Sequence, residues 1–236
     1  MLALGRTRLT SASVTGPYPT LRVERKCWDA GDRVVVGIDE VGRGSWAGPV
    51  TVAAVVPGDA HLAGVRDSKM LTPEEREVCA LRVRKWARAI GVGHASPEEC
   101  DLLGMTIAQR RAAERALEAL AYEGFVPDRI VLDGKHDYLA RPRVVRTIVK
   151  GDQKVLSVAA ASVIAKVTRD ALMVEEAEHF PAYGFESNRG YPAPVHKCAL
   201  AAYGPSAIHR RSWIFMEYCL WGGIPRFERQ PTLFNV

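Results

Sequence analysis

The sequence predicts an α/β fold with a mixed β-sheet. Short β-branched runs come first along the chain, and further runs then alternate with helical segments, an order typical of α/β proteins. Two helical segments open with nearly identical helix-start motifs. The chain has 236 residues, 47% of them hydrophobic, which is enough for one substantial core but hardly for two full domains.

Five segments are predicted to be strands. Each is a run of β-branched or small apolar residues bounded by glycine, proline or charged residues. They cover residues 34–38, 50–56, 90–95, 129–132 and 144–149. The third run contains two glycines, which weaken a strand.

Three helices are predicted between and after these strands. Thr72 and Ser96 each supply a hydroxyl at the N-cap, followed by proline at the first helical position and glutamate at the third, the arrangement called a capping box. The first helix is predicted to end near residue 89 and the second near residue 122. A long apolar helix is predicted over 155–179, and loops and short helices follow it.

Composition bounds the class of protein. Lys and Arg number 32 against 27 Asp and Glu, and the net charge of +5 only weakly favours a polyanionic partner. The five cysteines form no C-x-x-C pair, so we expect neither a disulfide framework nor a zinc site, and a reducing cytoplasm is the default. The N-terminus lacks an apolar signal region and no apolar run has membrane-spanning length, so we expect a soluble, cytoplasmic protein.

Acidic residues end two of the predicted strands. Asp39 and Glu40 follow the first strand, and Asp133 follows the fourth. Strand carboxyl ends in α/β sheets open onto the ligand crevice. Because neighbouring strand residues point to opposite faces, Asp39 and Glu40 serve one site only if the chain bends there, as Gly42 and Gly44 would permit. The alternative is a strand end whose charges face water.

A fourth acidic residue lies on the long helix. Ser162, Lys166 and Asp170 are spaced four residues apart and form a narrow polar stripe on an otherwise apolar helix. A surface helix normally carries a wider polar face, so the stripe favours a buried polar site. The alternative is a solvent-facing stripe with a Lys166–Asp170 ion pair, which would contribute a few tenths of a kcal/mol.

The four carboxylates of Asp39, Glu40, Asp133 and Asp170 would suit a hard cation, Mg²⁺ or Mn²⁺. Without a cation they would repel one another and raise at least one pKa. Two ions about 3.5–4 Å apart could activate a water and stabilise a leaving oxygen in phosphoryl displacement.

The tripeptide Gly42-Arg43-Gly44 follows the acidic pair. Glycines let backbone N–H groups approach a ligand, and arginine offers a forked phosphate contact. Most such tripeptides are simple turns. Next to a metal site, however, this one could sense a ribose 2′-hydroxyl, the group that distinguishes RNA from DNA.

Several blocks of the sequence together resemble ribonuclease HII, the bacterial type 2 ribonuclease H. They run in order from about residue 33 to residue 216 and are GIDEVGRGSWAGPV, DSK, VLDG, KGD, SVAAASVIAKVTRDALM, and YGFESNRGYP with YGPSAIHRRSW. The resemblance implies an RNase H-like mixed five-stranded sheet flanked by helices, with a small C-terminal helical segment. It divides the chain into an arm (1–31), a catalytic core (32–180), a helical segment completing the substrate groove (181–224) and a tail (225–236).

The resemblance also implies an activity. Enzymes of this family use divalent ions to cleave the RNA strand of RNA–DNA hybrids, and they cut 5′ of single ribonucleotides embedded in duplex DNA, leaving 3′-hydroxyl and 5′-phosphate ends. Such an enzyme would serve ribonucleotide excision repair and primer removal. We expect a monomer, with Mg²⁺ or Mn²⁺ as two bound ions.

The family's functional residues map onto positions of this chain. The catalytic and metal-binding carboxylates correspond to Asp39, Glu40, Asp133 and Asp170. The residues that read the 2′-hydroxyl correspond to Gly42, Arg43 and Gly44. The tyrosine that stacks on the sugar after the ribonucleotide corresponds to Tyr191, and positions near bound phosphates correspond to Lys69, Ser162 and Lys166.

The chain departs from the family pattern at a few positions. Asn188-Arg189 replaces the common His-Lys, Ser45-Trp46 replaces Pro-Leu, and Val41 replaces Ala. None of these is a predicted metal ligand, so the departures bear on substrate preference. His196 and His209 are interpreted as structural residues or phosphate-side contacts, because two-metal chemistry requires no histidine base.

The C-terminal segment QPTLF resembles the Q-x-x-L-F peptide by which bacterial repair proteins dock on the sliding clamp. Gln230, Leu233 and Phe234 would be the contacts, with the last two as apolar anchors. The alternative is that this Leu-Phe pair packs on its own domain.

Two rival functions are weighed against the nuclease. A junction resolvase or transposase of the same superfamily would share the clustered acids but would not need the glycine-arginine loop with a junction tyrosine. A non-catalytic nucleic-acid-binding module would need only basic surface, and four unneutralised acids would repel its ligand.

Overall fold

The sheet has five strands and mixed topology. The computed structural model describes residues 18–65, 68, 71–213, 215–216 and 219. Within them the strands are β1 (Val35–Val41), β2 (Val50–Val56), β3 (Ala89–Ala95), β4 (Arg129–Asp133) and β5 (Val145–Ile148). Their spatial order is β3-β2-β1-β4-β5. The β1–β2 and β2–β3 pairs are antiparallel, whereas β1–β4 and β4–β5 are parallel. The predicted mixed five-stranded sheet is confirmed.

Helices cover both faces of this sheet. They are α1 (Arg22–Asp29), α2 (Pro73–Trp86), α3 (Pro97–Leu103), α4 (Met105–Tyr122), α5 (Leu156–His179), α6 (Phe185–Asn188) and α7 (Pro194–Tyr203). On one face α4 packs against β2 and β3, and on the other α5 packs against β1 and β2 with α2 beside it. No helix within the described ranges combines the length and apolar character needed to cross a bilayer.

Both predicted capping boxes are present, but the first helix ends earlier than predicted and the second is divided in two. Thr72 and Ser96 each accept a hydrogen bond from the backbone N–H of the glutamate three residues later. The first helix ends at Trp86 because the backbone of Ala87 is extended, which lets β3 begin two residues later. The second helix is divided at Gly104, whose φ of +77° interrupts the helical geometry between α3 and α4.

The helix α1 lies in the segment that the sequence analysis assigns to an N-terminal arm. Leu21 and Cys27 are buried against the body of the protein, as is Glu24. The Glu24 carboxylate accepts a hydrogen bond of 2.8 Å from the N–H of Ser157 in the first turn of α5. A carboxyl oxygen at a helix N-terminus satisfies one of the free N–H groups there, so this contact joins α1 to the core.

The start of α5 crosses β1 at very short distance. A Cβ atom at Gly37 would collide with Ser157, so only glycine allows this approach. The first ten residues of α5 are all buried, and many are alanine or serine, whose small side chains permit close packing on the sheet. This packing sets Ser162 over the end of β1, where the predicted acidic site begins.

Candidate active site

Asp39, Glu40 and Asp133 lie at one edge of the sheet. The strands β1 and β4 are parallel neighbours, and Ile38 pairs with Leu132, so Asp39 and Asp133 occupy adjacent positions where this pairing ends. β1 itself continues along β2 to Val41, so Asp39 and Glu40 lie within the strand and not after it as predicted. Asp39 is only 7% exposed, and its Oδ1 accepts a hydrogen bond of 2.8 Å from the N–H of Glu40. The structure therefore brings together three of the four predicted carboxylates.

Electrostatic repulsion is concentrated on Asp39. Burial raises the pKa of this carboxyl well above its usual range, and the charges of Glu40 and Asp133 raise it further, whereas the nearby Ser162 hydroxyl acts in the opposite direction. Anions held this close favour a cation between them.

The donor set fits a hard divalent cation. Carboxylate oxygens are the ligands that Mg²⁺ and Mn²⁺ prefer, and the raised pKa of Asp39 marks negative charge that a cation would offset. Among the described residues no group of three or more acidic, histidine or cysteine side chains is already spaced to hold a metal ion.

Asp170 faces cations and not the other acids. Its carboxylate lies 2.7 Å from the Lys166 ammonium, 3.5 Å from the Arg76 guanidinium and 3.7 Å from that of Arg189. It also lies two helical turns beyond Ser162 on α5, a rise of about 12 Å. The ion pair offered as the alternative interpretation is present, and the geometry does not support Asp170 as a ligand beside Asp39.

Asp152 is an acidic residue at this edge that sequence reasoning missed. It lies in the 3₁₀ turn Gly151–Gln153 and is 5% exposed. The N–H of the preceding Gly151 donates a hydrogen bond of 2.6 Å to Asp133 Oδ1, so the turn is held against the carboxylate site. The signal was available, because Asp152 belongs to the KGD block of the family resemblance.

Ser162 connects the acidic edge to the DSK segment. Its hydroxyl lies 3.1 Å from that of Ser68, which is buried. The Arg76 guanidinium donates to the carbonyls of Ser68 and Leu71 at 2.9 and 3.0 Å, and so holds this segment on both sides. Lys69, the predicted phosphate contact between them, lies outside the described residues.

The glycine-arginine loop begins with a backbone conformation that favours glycine. Gly42 has a φ of +89°, and its carbonyl accepts a hydrogen bond of 2.9 Å from the Ser45 hydroxyl. The Arg43 side chain is half exposed, and its Nη1 donates to Gln109 Oε1 at 2.5 Å and lies 3.9 Å from Glu40 Oε1. Sequence reasoning missed Gln109, because no local pattern indicates that α4 faces this loop.

Tyr191 lies beside the same loop. A Cβ atom placed on Gly44 would lie 4.0 Å from the Tyr191 ring. The preceding Gly190 carbonyl accepts hydrogen bonds from the N–H groups of Trp46 and Ala47, at 2.8 and 3.2 Å. The structure thus brings together the predicted ribose-reading loop and the predicted junction tyrosine.

Two fully buried arginines lie behind this loop, and sequence reasoning assigned neither to the site. Arg169 comes from α5 and Arg210 from the C-terminal segment. Burial lowers the pKa of both guanidinium groups, that of Arg210 to about 10. Arginine is protonated in proteins at neutral pH, so both are cations. Arg210 donates to the carbonyls of Arg43 and Gly48 at 3.0 Å.

His196 and His209 are structural residues. Both are buried, and their Nε2 atoms lie 2.8 Å apart. The N–H of Ser206 donates to His209 Nδ1, so His209 Nε2 carries the proton and donates to His196, whose Nδ1 in turn donates to the Tyr191 carbonyl. Burial, then the neighbouring His196, lowers the pKa of His209 to about 3. Their burial excludes the alternative of a phosphate-side contact.

Two sets of predicted residues remain. Lys166 lies at the margin of the site, where its ammonium donates a hydrogen bond to Asp170. The clamp-motif residues Gln230, Leu233 and Phe234 lie outside the described residues.

Comparison with known proteins identifies the family. Residues 36–216 match the family model for ribonuclease HII. A ribonuclease HII of Streptomyces avermitilis is 54% identical over 205 residues, which cover 85% of this chain and 87% of that protein. The ribonuclease H2 of Pyrococcus horikoshii is 29% identical, with a TM-score of 0.62 over 76% of this chain and 93% of that one.

A second solved structure contains a partner. The ribonuclease HII of Archaeoglobus fulgidus, solved in a complex with PCNA, is 29% identical, with a TM-score of 0.64 over 76% of this chain and 95% of that one. With the family match, these likenesses support both the sheet topology and the type of enzyme. The chain belongs to the ribonuclease HII family of endoribonucleases, which cleave the RNA of RNA–DNA hybrids.

Proposed function

We propose that this enzyme also nicks duplex DNA 5′ of a single embedded ribonucleotide, leaving a 3′-hydroxyl and a 5′-phosphate, in the service of ribonucleotide removal. The observation that carries this proposal is the placement of Gly44 beside Tyr191, next to the acidic edge of the sheet. To recognise a ribonucleotide–deoxyribonucleotide junction, the group that binds the 2′-hydroxyl must lie next to the group that contacts the following deoxyribose.

Asp39, Glu40 and Asp133 are proposed to hold two divalent ions, Mg²⁺ or Mn²⁺. When bound, such ions supply an activated water and stabilise the leaving oxygen. Two residues compete for a fourth ligand position: Asp170, implied by the family resemblance, and Asp152, which adjoins Asp133 through Gly151. Geometry favours Asp152, because three cations already surround Asp170.

The chain's own groups would orient the substrate. The half-exposed Arg43 guanidinium is available to a phosphate, while Gln109 holds it in place. The Tyr191 ring offers a flat face for a sugar, and Lys166 and Lys69 are proposed to contact phosphates. Ser162 would partly offset the raised pKa of Asp39, because a hydroxyl that donates to a carboxylate favours its charged form.

One assay tests the proposal. A labelled DNA duplex with one ribonucleotide is incubated with the full chain, with and without Mg²⁺, beside an all-DNA duplex. We expect a single nick 5′ of the ribonucleotide, only with metal, and none with Asp39→Asn. Cutting of the all-DNA duplex would favour a resolvase-like activity, and binding without cutting would favour a binding module. Either result would refute the proposal.

The C-terminal tail is proposed to dock on the sliding clamp through Gln230, Leu233 and Phe234. The support is the sequence motif and the solved complex of the Archaeoglobus relative with PCNA. Binding of a bacterial clamp to the full chain and to residues 1–229 should differ by about tenfold or more. Equal affinities would rule out docking through the tail.

A further inference from the structure

Arg169 holds the glycine-arginine loop through its fully buried guanidinium group. Its Nε donates to the Pro49 carbonyl at 2.8 Å. Its Nη2 donates to the Ala47 carbonyl at 3.0 Å and to the Ser45 hydroxyl at 2.8 Å. A Cβ atom at Gly42 would collide with Arg169 Nε, so the loop is seated directly on this side chain. The loop's shape therefore depends on Arg169.

The same side chain holds the loop that carries Tyr191. Its Nη1 donates to the Arg189 carbonyl at 2.9 Å, and its guanidinium carbon lies 5.5 Å from the centre of the Tyr191 ring. A cation over an aromatic face is attracted to it. Arg169 is thus a bridge between two segments that are far apart in sequence and adjacent at the site.

Ser45 extends this contact to the tripeptide. Its hydroxyl accepts from Arg169 and donates to the Gly42 carbonyl at 2.9 Å, so it relays the guanidinium's hydrogen bond to the Gly42–Arg43 peptide. The next carbonyl, that of Arg43, accepts directly from Arg210 at 3.0 Å. Both peptide units of the tripeptide are therefore connected to a buried cation.

This arrangement acts on the two N–H groups of those peptides. Among the described residues, the N–H groups of Arg43 and Gly44 have no backbone acceptor. A hydrogen bond to a peptide carbonyl polarises the unit and strengthens its own N–H as a donor. The two N–H groups are thus strengthened as donors to a ligand.

Within the described residues, Arg169 forms no ion pair with an acidic side chain. Its acceptors are three carbonyls and one hydroxyl, and the neighbouring Asp170 pairs with other cations. Burying a cation without a counter-charge is costly. A polar or anionic ligand at the loop would benefit from that charge.

We propose that Arg169 is a positioning residue that sets both ribose-recognition elements, and that Ser45 relays its effect to the N–H of Arg43, which would bind the 2′-hydroxyl. The inference rests on the proposed function. The relay needs a hydroxyl at position 45, where the common family pattern has proline.

Binding preference is the measure that tests the relay. The full chain is titrated with a duplex containing one ribonucleotide and with the matched all-DNA duplex, in Ca²⁺, with gels verifying that both stay intact. Ser45→Ala should lower the preference for the ribonucleotide duplex by about three- to tenfold, the effect of one lost hydrogen bond. Affinity for the all-DNA duplex should not change.

Ser187→Ala is the matched control. The Ser187 hydroxyl also donates to a carbonyl three residues earlier, that of Gly184 at 3.0 Å, on α6. This variant should keep the wild-type preference. If Ser45→Ala keeps the preference too, or loses affinity for both duplexes equally, the relay is refuted.

A double-variant cycle tests the link to Arg169. Arg169→Lys keeps the charge but cannot reach four acceptors, and in that background Ser45→Ala should cause little further loss of preference. Additive losses would show that Ser45 acts independently of Arg169 and would overturn the inference. Should Arg169→Lys fail to fold by thermal melting, the comparison of Ser45→Ala with Ser187→Ala decides alone.

Failure of the inference is separable from failure of the proposed function. If the wild-type chain neither prefers nor nicks the ribonucleotide duplex, the proposed function is wrong and the inference falls with it. If the wild type does both and Ser45→Ala discriminates equally well, only the inference is wrong.

Discussion

The Lys166 ammonium and the Asp170 carboxylate form a 2.7 Å ion pair one turn apart on α5. Arg76 and Arg189 complete a set of three cations around this one carboxylate. Through Arg76 the set is connected to the carbonyls on either side of the segment that bears Lys69. Asp170 therefore organises cations along the edge of the site.

Asparagine at position 170 should leave metal affinity nearly unchanged and raise the KM for substrate several-fold, because its cationic neighbours lose their anchor. Asp152→Asn, in contrast, should lower affinity for Mn²⁺ by about tenfold or more if Asp152 is the fourth acidic ligand. Calorimetric titration of both variants with Mn²⁺ measures the difference. If Asp170→Asn lowers the affinity for Mn²⁺ as much as Asp39→Asn does, Asp170 is a metal ligand after all.

Alanine at Gly42 should reduce cleavage of the ribonucleotide duplex by about tenfold or more, because a Cβ there collides with Arg169 and displaces the loop. The matched control is Gly124→Ala, whose φ of +86° is close to the +89° of Gly42 but whose surroundings are open. Both substitutions carry the backbone strain of a positive φ, about 1–2 kcal/mol. Only the first should affect turnover, and equal activity of the two variants would contradict the role of the contact.

Glu24→Ala should lower the free energy of unfolding by about 1–2 kcal/mol, because the Ser157 N–H loses its acceptor. Glu24→Gln keeps an oxygen acceptor and serves as the control. Burial raises the pKa of Glu24, so the folded state holds this proton more tightly than the unfolded state does. Its contribution to stability therefore falls as pH rises above the ordinary glutamate pKa of 4.5.

Urea unfolding of wild type and Glu24→Gln between pH 4.5 and 7 measures this effect. The stability of the wild type should decline relative to that of the glutamine variant as the pH rises. A constant difference across the range would mean that Glu24 does not titrate differently in the two states.

The buried His196–His209 pair should make the protein less stable in acid. The pKa of His209 falls from 6.5 to about 3, so the unfolded state binds a proton that the folded state does not. The contribution of His209 is full above pH 6.5 and is lost as the pH falls toward 3, by up to about 1.4 kcal/mol per pH unit. In His209→Gln the decline in unfolding free energy from pH 7 to 5 should be shallower, and an unchanged slope would refute this.

Local sequence patterns predicted the elements that depend on local physics. The β-branched runs around Val35 and Ile130 became strands, and the motifs at Thr72 and Ser96 became capped helices, because both signals act over a few residues. The effect of Gly104 was not predicted. The sequence shows a glycine at this position, but only its positive φ in the structure shows that it divides one predicted helix into two.

Contacts between residues far apart in the chain could not be predicted from local sequence patterns. The anchoring of α1 depends on Glu24 meeting Ser157, 133 positions away in sequence. The support of the recognition loops depends on Arg169, which in the sequence is one more polar residue of an apolar helix. Neither contact leaves a periodic or spaced pattern that a reader of the sequence could recognise.

Strand and helix types, the acidic residues near the strand ends and the family could be predicted from consecutive residues, because hydrophobic period, caps and long motif blocks are local patterns. Packing, in contrast, revealed that Asp170 is surrounded by cations, that the turn bearing Asp152 is hydrogen-bonded to Asp133, and that Arg169 supports both recognition loops. The physical reason is that burial and partner choice arise when distant segments pack, and two polar residues of one helix can then meet opposite surroundings.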